Sequence, residues 1–126
     1  MDFKLGGRMK QSQAEALSIA LNSMMNEKGA TGFKLMRNKR MIDDELAEYY
    51  KFKNDLFIKY ADGEDFIDPN SEKGKEFIKE FKPIADIEVN FNFRKLTEDE
   101  LAQSTLTASQ MAILWEWMVE DGKNQS

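Results

Sequence analysis

The chain contains no cysteine and no histidine. Disulfides, thiolate nucleophiles, zinc fingers, Ser-His triads and histidine-ligated haem are therefore excluded. Proline occurs only twice, and neither proline nor glycine interrupts residues 33–61. No apolar run approaches the roughly 20 residues that a membrane helix needs. The start, Met1-Asp2-Phe3-Lys4-Leu5, has no basic segment followed by an apolar stretch, so a secretory signal is not expected and an intracellular protein is.

What the chain does contain suits one domain. It has 126 residues, 41% hydrophobic, 33% charged and 11% aromatic, which is enough apolar material for a core and too much for a disordered chain. A single domain over 1–122 is expected, with residues 123–126 as a frayed polar tail. Charge is uneven. Residues 1–61 carry 11 Lys/Arg and 8 Asp/Glu, net +3, whereas residues 62–126 carry 7 and 15, net −8. The total of −5 argues against broad phosphate-backbone binding.

Met1, Phe3 and Leu5 alternate with polar residues and read as a short strand ended by Gly6-Gly7. Ser12 with Glu15 forms a capping box, and Leu17, Ala20, Leu21 and Met24 follow at helical spacing, which predicts a helix over 13–28 stopped by Gly29. Leu35, Ile42, Leu46, Tyr49, Leu56 and Tyr60 share one side of a second pattern, with Met36, Tyr50 and Phe57 beside it. Their spacing predicts one long helix of about 28 residues over 33–61, the central element of the fold. Lys39/Asp43 and Arg40/Asp44 stand at i,i+4 and would decorate its wet side.

The acidic stretch after Ala61 breaks that pattern, with Phe66 and Ile67 expected to return to the core. A short helix through Phe77, Ile78 and Phe81 should stop before Pro83. Ile87, Val89, Phe91 and Phe93 alternate with polar residues, a strand with one buried face, whose expected partner is the strand at 1–5. Thr97 with Glu100 and Thr107 with Gln110 form two more capping boxes. They predict a short turn at 98–103 and a helix over 108–120 with Met111, Leu114, Trp115 and Met118 as its core stripe. The expected fold is α+β: one long central helix, three or four shorter helices and a small antiparallel sheet.

Lys34-Leu35-Met36-Arg37-Asn38-Lys39, a Lys-x-x-x-Asn segment, is followed by Ile42-Asp43-Asp44-Glu45-Leu46, Tyr49-Tyr50 and Leu56…Lys59-Tyr60. Glu76-Phe77, Ile87-Glu88-Val89 and Leu106-Thr107 come later in the chain. In that order these features resemble a family of small uncharacterised proteins of tailed phages and prophages of Gram-positive bacteria. The resemblance implies a setting in the cytoplasm of a bacterial host cell. It brings no activity, because none of its motifs is catalytic.

Lys34, Arg37, Lys39 and Arg40 are the nucleic-acid candidates. The following Asp43, Asp44 and Glu45 make a solvated, self-neutralised helix face the stronger reading, so nucleic acid is not the expected partner. Asp62, Glu64, Asp65 and Asp68 fail the alternate-position pattern of an EF-hand because Phe66 occupies the third ligand place. No metal and no cofactor is expected. The acidic half also invites a DNA-mimic reading, but −8 over 65 residues is modest for that role. Tyr49, Tyr50, Phe52, Phe57 and Tyr60 suit a core better than a stacking platform. Phe52 and Trp117 lie off the main stripes and are the partner-contact candidates. The resulting expectation is a non-enzymatic interaction protein that modulates a host factor, self-associating as a two-fold dimer. The alternatives are an oligomeric virion or assembly component and a weak nucleic-acid binder.

Overall fold

A computed structural model describes residues 7–120. Within them the order is β1 (Met9–Lys10), α1 (Gln11–Asn22), α2 (Gly29–Glu45), α3 (Ala47–Ala61), α4 (Glu72–Ala85), β2 (Glu88–Val89), α5 (Glu98–Gln103) and α6 (Ala108–Trp117). The fold is mostly helical, and its sheet is a single antiparallel pair with Met9 opposite Val89 and Lys10 opposite Glu88. No helix among the described residues is long and apolar enough to cross a membrane.

The expected long central helix does not exist as one element. It is two helices, α2 and α3, of 17 and 15 residues. The break sits at Leu46, whose ψ of 8° leaves the helical region. Hydrogen bonding continues across it, from the Leu46 N–H to Ile42 O and from the Tyr50 N–H to Leu46 O. This explains why the apolar periodicity gave no sign of a break. The reason is one of reach. A straight helix of 28 residues runs about 42 Å, and here the two halves serve different neighbours: α2 packs chiefly on α1, and α3 on α4.

Other expectations shift as well. The strand at 1–5 lies outside the described residues, and the partner of β2 is β1. Helix α1 begins earlier, with Gln13 Oε1 accepting the Lys10 N–H at 2.8 Å. It also ends earlier, because the Ser23 N–H and hydroxyl both turn back to Ala20 O. Gly29 opens α2 with a φ of 67°. One turn on, Gly32 lets the Glu27 carbonyl lie where a Cβ would meet it at 2.1 Å. Helix α4 runs through Pro83 to Ala85. The ring removes one bond in the last turn, while buried Ala85 and half-buried Ile84 hold that turn against the core.

Ladder pairing of β2 covers two residues only. Ile87 is accordingly 49% exposed rather than buried, and Val89 only half-buried. Beyond the ladder, residues 90–95 have no neighbouring strand among the described residues. One end is tied to the start of the described chain, where the Phe91 N–H donates to Gly7 O at 3.1 Å. The other is tied to the far end, where the Leu96 N–H donates to Met118 O at 2.7 Å and the Leu96 carbonyl accepts from the Glu120 N–H at 2.9 Å. Phe91 and Phe93 point inward with stacked rings 5.2 Å apart. They join Leu17, Leu21, Leu35, Ile42, Leu114 and Met118 in one core.

Both late capping boxes form. Thr97 and Thr107 each accept from the N–H three residues on at 3.1 Å, and Glu100 and Gln110 return the bond at 2.9 Å. Helix α6 stops at Trp117; Met111, Leu114 and Trp117 on it and Met118 just after it face the core. Trp115, expected inside, is 51% exposed. Phe66, also expected inside, lies in the loop after α3 and is exposed.

Phe91→Ala removes a ring from the centre of the core and is expected to cost about 3–5 kcal/mol. Denaturant unfolding checks this, and an unchanged midpoint would show the ring to be dispensable.

Candidate functional site

Helix α2 does not present its basic residues together. At its first turns, the Lys34 ammonium reaches across to Lys95 O at 2.8 Å and to Glu100 Oε1 at 2.9 Å. Lys34, with the Thr97 N–H behind it, holds the Glu100 carboxyl below its ordinary value. One turn on, Asn38 is fully buried, and its amide binds both sides of the Arg94 peptide. Its Nδ2 donates to Arg94 O at 3.0 Å, and its Oδ1 accepts the Arg94 N–H at 2.8 Å. The same Nδ2 meets Met118 Sδ at 3.3 Å. The Lys-x-x-x-Asn segment is therefore a clamp on residues 94–95. A side-chain amide supplies both hydrogen bonds of the Arg94 peptide, as a neighbouring strand would.

Lys39 turns the other way. Its ammonium contacts Asp43 Oδ2 at 2.7 Å and Ser18 Oγ at 3.2 Å, between α1 and α2. Ser18 donates to Asp43 Oδ1 at 2.6 Å, and the Tyr50 hydroxyl donates to the same oxygen at 3.2 Å. The Lys39/Asp43 pair was expected on the wet side, but it is half-buried and joins three helices. Burial would raise the Asp43 pKa. The hydrogen bonds from Lys39 and Ser18, the Lys39 charge and the Tyr50 hydroxyl outweigh that and hold it below its ordinary value. Burial, with the Asp43 carboxylate adding to it, pushes Tyr50 up to about 12. A second set lies alongside, where Glu15 accepts from Tyr49 at 2.8 Å and from Lys53 at 2.6 Å.

Ser18 beside Lys39 has the composition of a Ser-Lys dyad without its chemistry. A lysine base must be neutral to accept the seryl proton. Here the lysine is ion-paired, the seryl proton is aimed at Asp43, and Ser18 is buried. The network works as a polar joint between helices.

Arg37 and Arg40 are the two candidates left outside. Arg37 stands 6.0 Å from the centre of the Phe33 ring, and Arg94, delivered by the Asn38 clamp, stands 5.9 Å from it. Both fall at the cation–π limit. Phe33 itself is 53% exposed, and Met36 is exposed beside it. None of Arg37, Arg40 and Arg94 forms an ion pair with a described residue. The outer face of α2 thus carries Phe33, Met36, Arg37 and Arg40, with Arg94 at its edge. Sequence reasoning missed Phe33, Met36 and Arg94. Met36 falls beside the core line in the sequence pattern, and Arg94 comes from a segment that only the fold brings near.

The other candidates stand apart from this face. Phe52 is marginally exposed on α3, while Trp117 is half-buried against the core, with its carbonyl accepting from Lys95 Nζ at 3.1 Å. Asp62 pairs with Lys73, and Asp68 Oδ1 caps the Asn70 N–H. No three carboxylates converge as metal ligands among the described residues. A cleft of about 560 Å³ opens between the start of α2 and the end of α5. Both carboxylates lining it have partners: Glu27 binds the Thr105 N–H and hydroxyl, and Glu100 binds Lys34.

No family model, curated protein or solved structure matches the chain.

Asp43 gives a pH signature. Its pKa lies below the ordinary 3.8 in the folded state, so its contribution is fully present above that value and is lost as pH falls through the folded pKa. Asp43→Asn should therefore be less stable than wild type at neutral pH and show a shallower loss of stability below pH 3.8. Urea unfolding across pH 2–6 checks this, and parallel curves for the two proteins would contradict it.

Proposed function

We propose that the protein is a non-enzymatic interaction protein that binds a protein partner through the outer face of α2. The supporting observation is Phe33, half exposed and flanked by two arginines that no carboxylate of the described chain neutralises. Aromatic and arginine side chains dominate the energetics of protein interfaces. Here Phe33 helps to hold the guanidinium groups, which lowers the entropy lost when they bind. The complementary surface is a segment carrying carboxylates beside an apolar anchor.

A protein fits this face better than a nucleic acid. The net charge is −5, and two of the four basic residues of the segment, Lys34 and Lys39, are spent inside the fold. Stacking a base on Phe33 also means displacing a guanidinium. The resemblance to small phage and prophage proteins supports a setting in the cytoplasm of a bacterial host, where the partner is a host factor.

Phe33→Ser should leave folding stability within about 0.5 kcal/mol, as surface changes do, and abolish capture of the partner from host lysate. Capture that is indifferent to Phe33 would remove this face from the reading. Tight, salt-sensitive binding of single-stranded DNA or RNA, lost when Arg37 and Arg40 are reversed, would replace the protein partner with a nucleic acid.

A further inference from the structure

The chain carries its own complement to the α2 face. Phe66, at 70%, is the most exposed large apolar side chain among the described residues. It sits directly after Glu64 and Asp65, both exposed and neither in an ion pair with a described residue. This loop is anchored at both ends. Asp62 leaves α3 in the left-handed region at φ 53°, Gly63 follows at 87°, and the Glu64 N–H donates to Ala61 O at 3.0 Å. On the far side, the Asp68 carbonyl accepts from the Ser71 N–H at 3.0 Å and from its hydroxyl at 2.6 Å. An exposed phenylalanine is thus presented beside two free carboxylates on a braced loop, so little ordering is lost when it docks.

We infer that two copies of the chain pair, the 62–68 loop of each seated on the outer face of α2 of the other, with Phe66 beside Phe33 and Met36, and with Glu64 and Asp65 on Arg37, Arg40 and Arg94. This rests on the reading of the α2 face as the contact surface and names a second copy as its occupant. The match is in both kind and sign, an apolar anchor with carboxylates meeting an apolar anchor with guanidiniums. Because every copy carries both surfaces, a two-fold arrangement makes the contact twice and closes on itself. The pairing involves neither Phe52 nor Trp117, and it occupies the face that a foreign partner would use, so partner and second copy compete.

Light scattering on the full chain at micromolar concentrations tests it. Wild type should rise with concentration from 14.6 kDa toward twice that mass, and higher salt should weaken the rise. Phe66→Ser, a surface change, should stay at the single-chain mass with its melting temperature unchanged. So should R37E/R94E and E64R/D65R, each measured alone. Mixing these two reversed variants should restore the pair, because in the mixed pair both contacts again join opposite charges. A wild type that keeps the single-chain mass throughout overturns the pairing. So does pairing that survives Phe66→Ser, or reversed variants that fail to recombine while remaining folded by circular dichroism. Such a monomer would leave the α2 face to a foreign partner, which the Phe33→Ser capture experiment decides separately.

Discussion

The buried amide of Asn38 fixes the crossing segment, residues 90–96, to α2 at a point where the backbone of that segment carries polar groups into the core region. Among the described residues, strand pairing around residues 90–96 is limited to the β1–β2 ladder before them and a single parallel bridge of Leu96 with Val119, so the Arg94 peptide finds its partners in a side chain. Asn38 satisfies the Arg94 N–H and carbonyl together, and Lys34, one turn before it, takes the Lys95 carbonyl. The crossing segment is thereby fixed to α2, and through Leu96 to the end of α6. Phe91 and Phe93 enter the core from this fixed segment. A buried polar group of this kind is worth more than its pairwise bonds, because removing it orphans two backbone groups at once.

The same clamp sets the surface. Holding the Arg94 backbone places its guanidinium near the Phe33 ring, which Arg37 also approaches. Charge on α2 is thus sorted by which neighbour each side chain finds. Lys34 and Lys39 become internal ties, to α5 and to α1, while Arg37 and Arg40 are left facing solvent. The polar joint of Ser18, Lys39, Asp43 and Tyr50 does for the α1–α2–α3 contact what Asn38 does for the crossing segment. Its hydrogen bonds are satisfied internally, and no buried side-chain polar atom among the described residues lacks a partner.

The two late local signals were legible and long-range ones were not. The expected Ser12–Glu15 box is replaced by Lys10 with Gln13, two residues earlier, because Glu15 binds Tyr49 and Lys53. The boxes at Thr97 and Thr107 are encoded within four residues each, and both were readable from spacing. The break at Leu46 was invisible, since its hydrogen bonds and apolar periodicity run on through it. The alternation from Ile87 to Phe93 was real, but only its second half is buried, because the ladder that would cover the first half is two residues long. Pro83 misled because one missing bond in a last turn costs less than the packing of Ile84 and Ala85 recovers. The surface was half legible: Arg37 and Arg40 were singled out, but Phe33 and Arg94 gained meaning only when residues 61 positions apart, Phe33 and Arg94, came within reach of each other. Asn38 did carry a signal, as a polar residue falling between Leu35 and Ile42 on the buried side of α2.

Asn38→Leu tests the clamp most directly. Leucine keeps the volume and the helical preference but cannot bind the Arg94 peptide. The account predicts a loss of about 2–6 kcal/mol in denaturant unfolding, from two backbone groups left unpaired at about 1–3 kcal/mol each, together with faster amide exchange at Arg94. A variant as stable as wild type, with Arg94 equally protected, would contradict it.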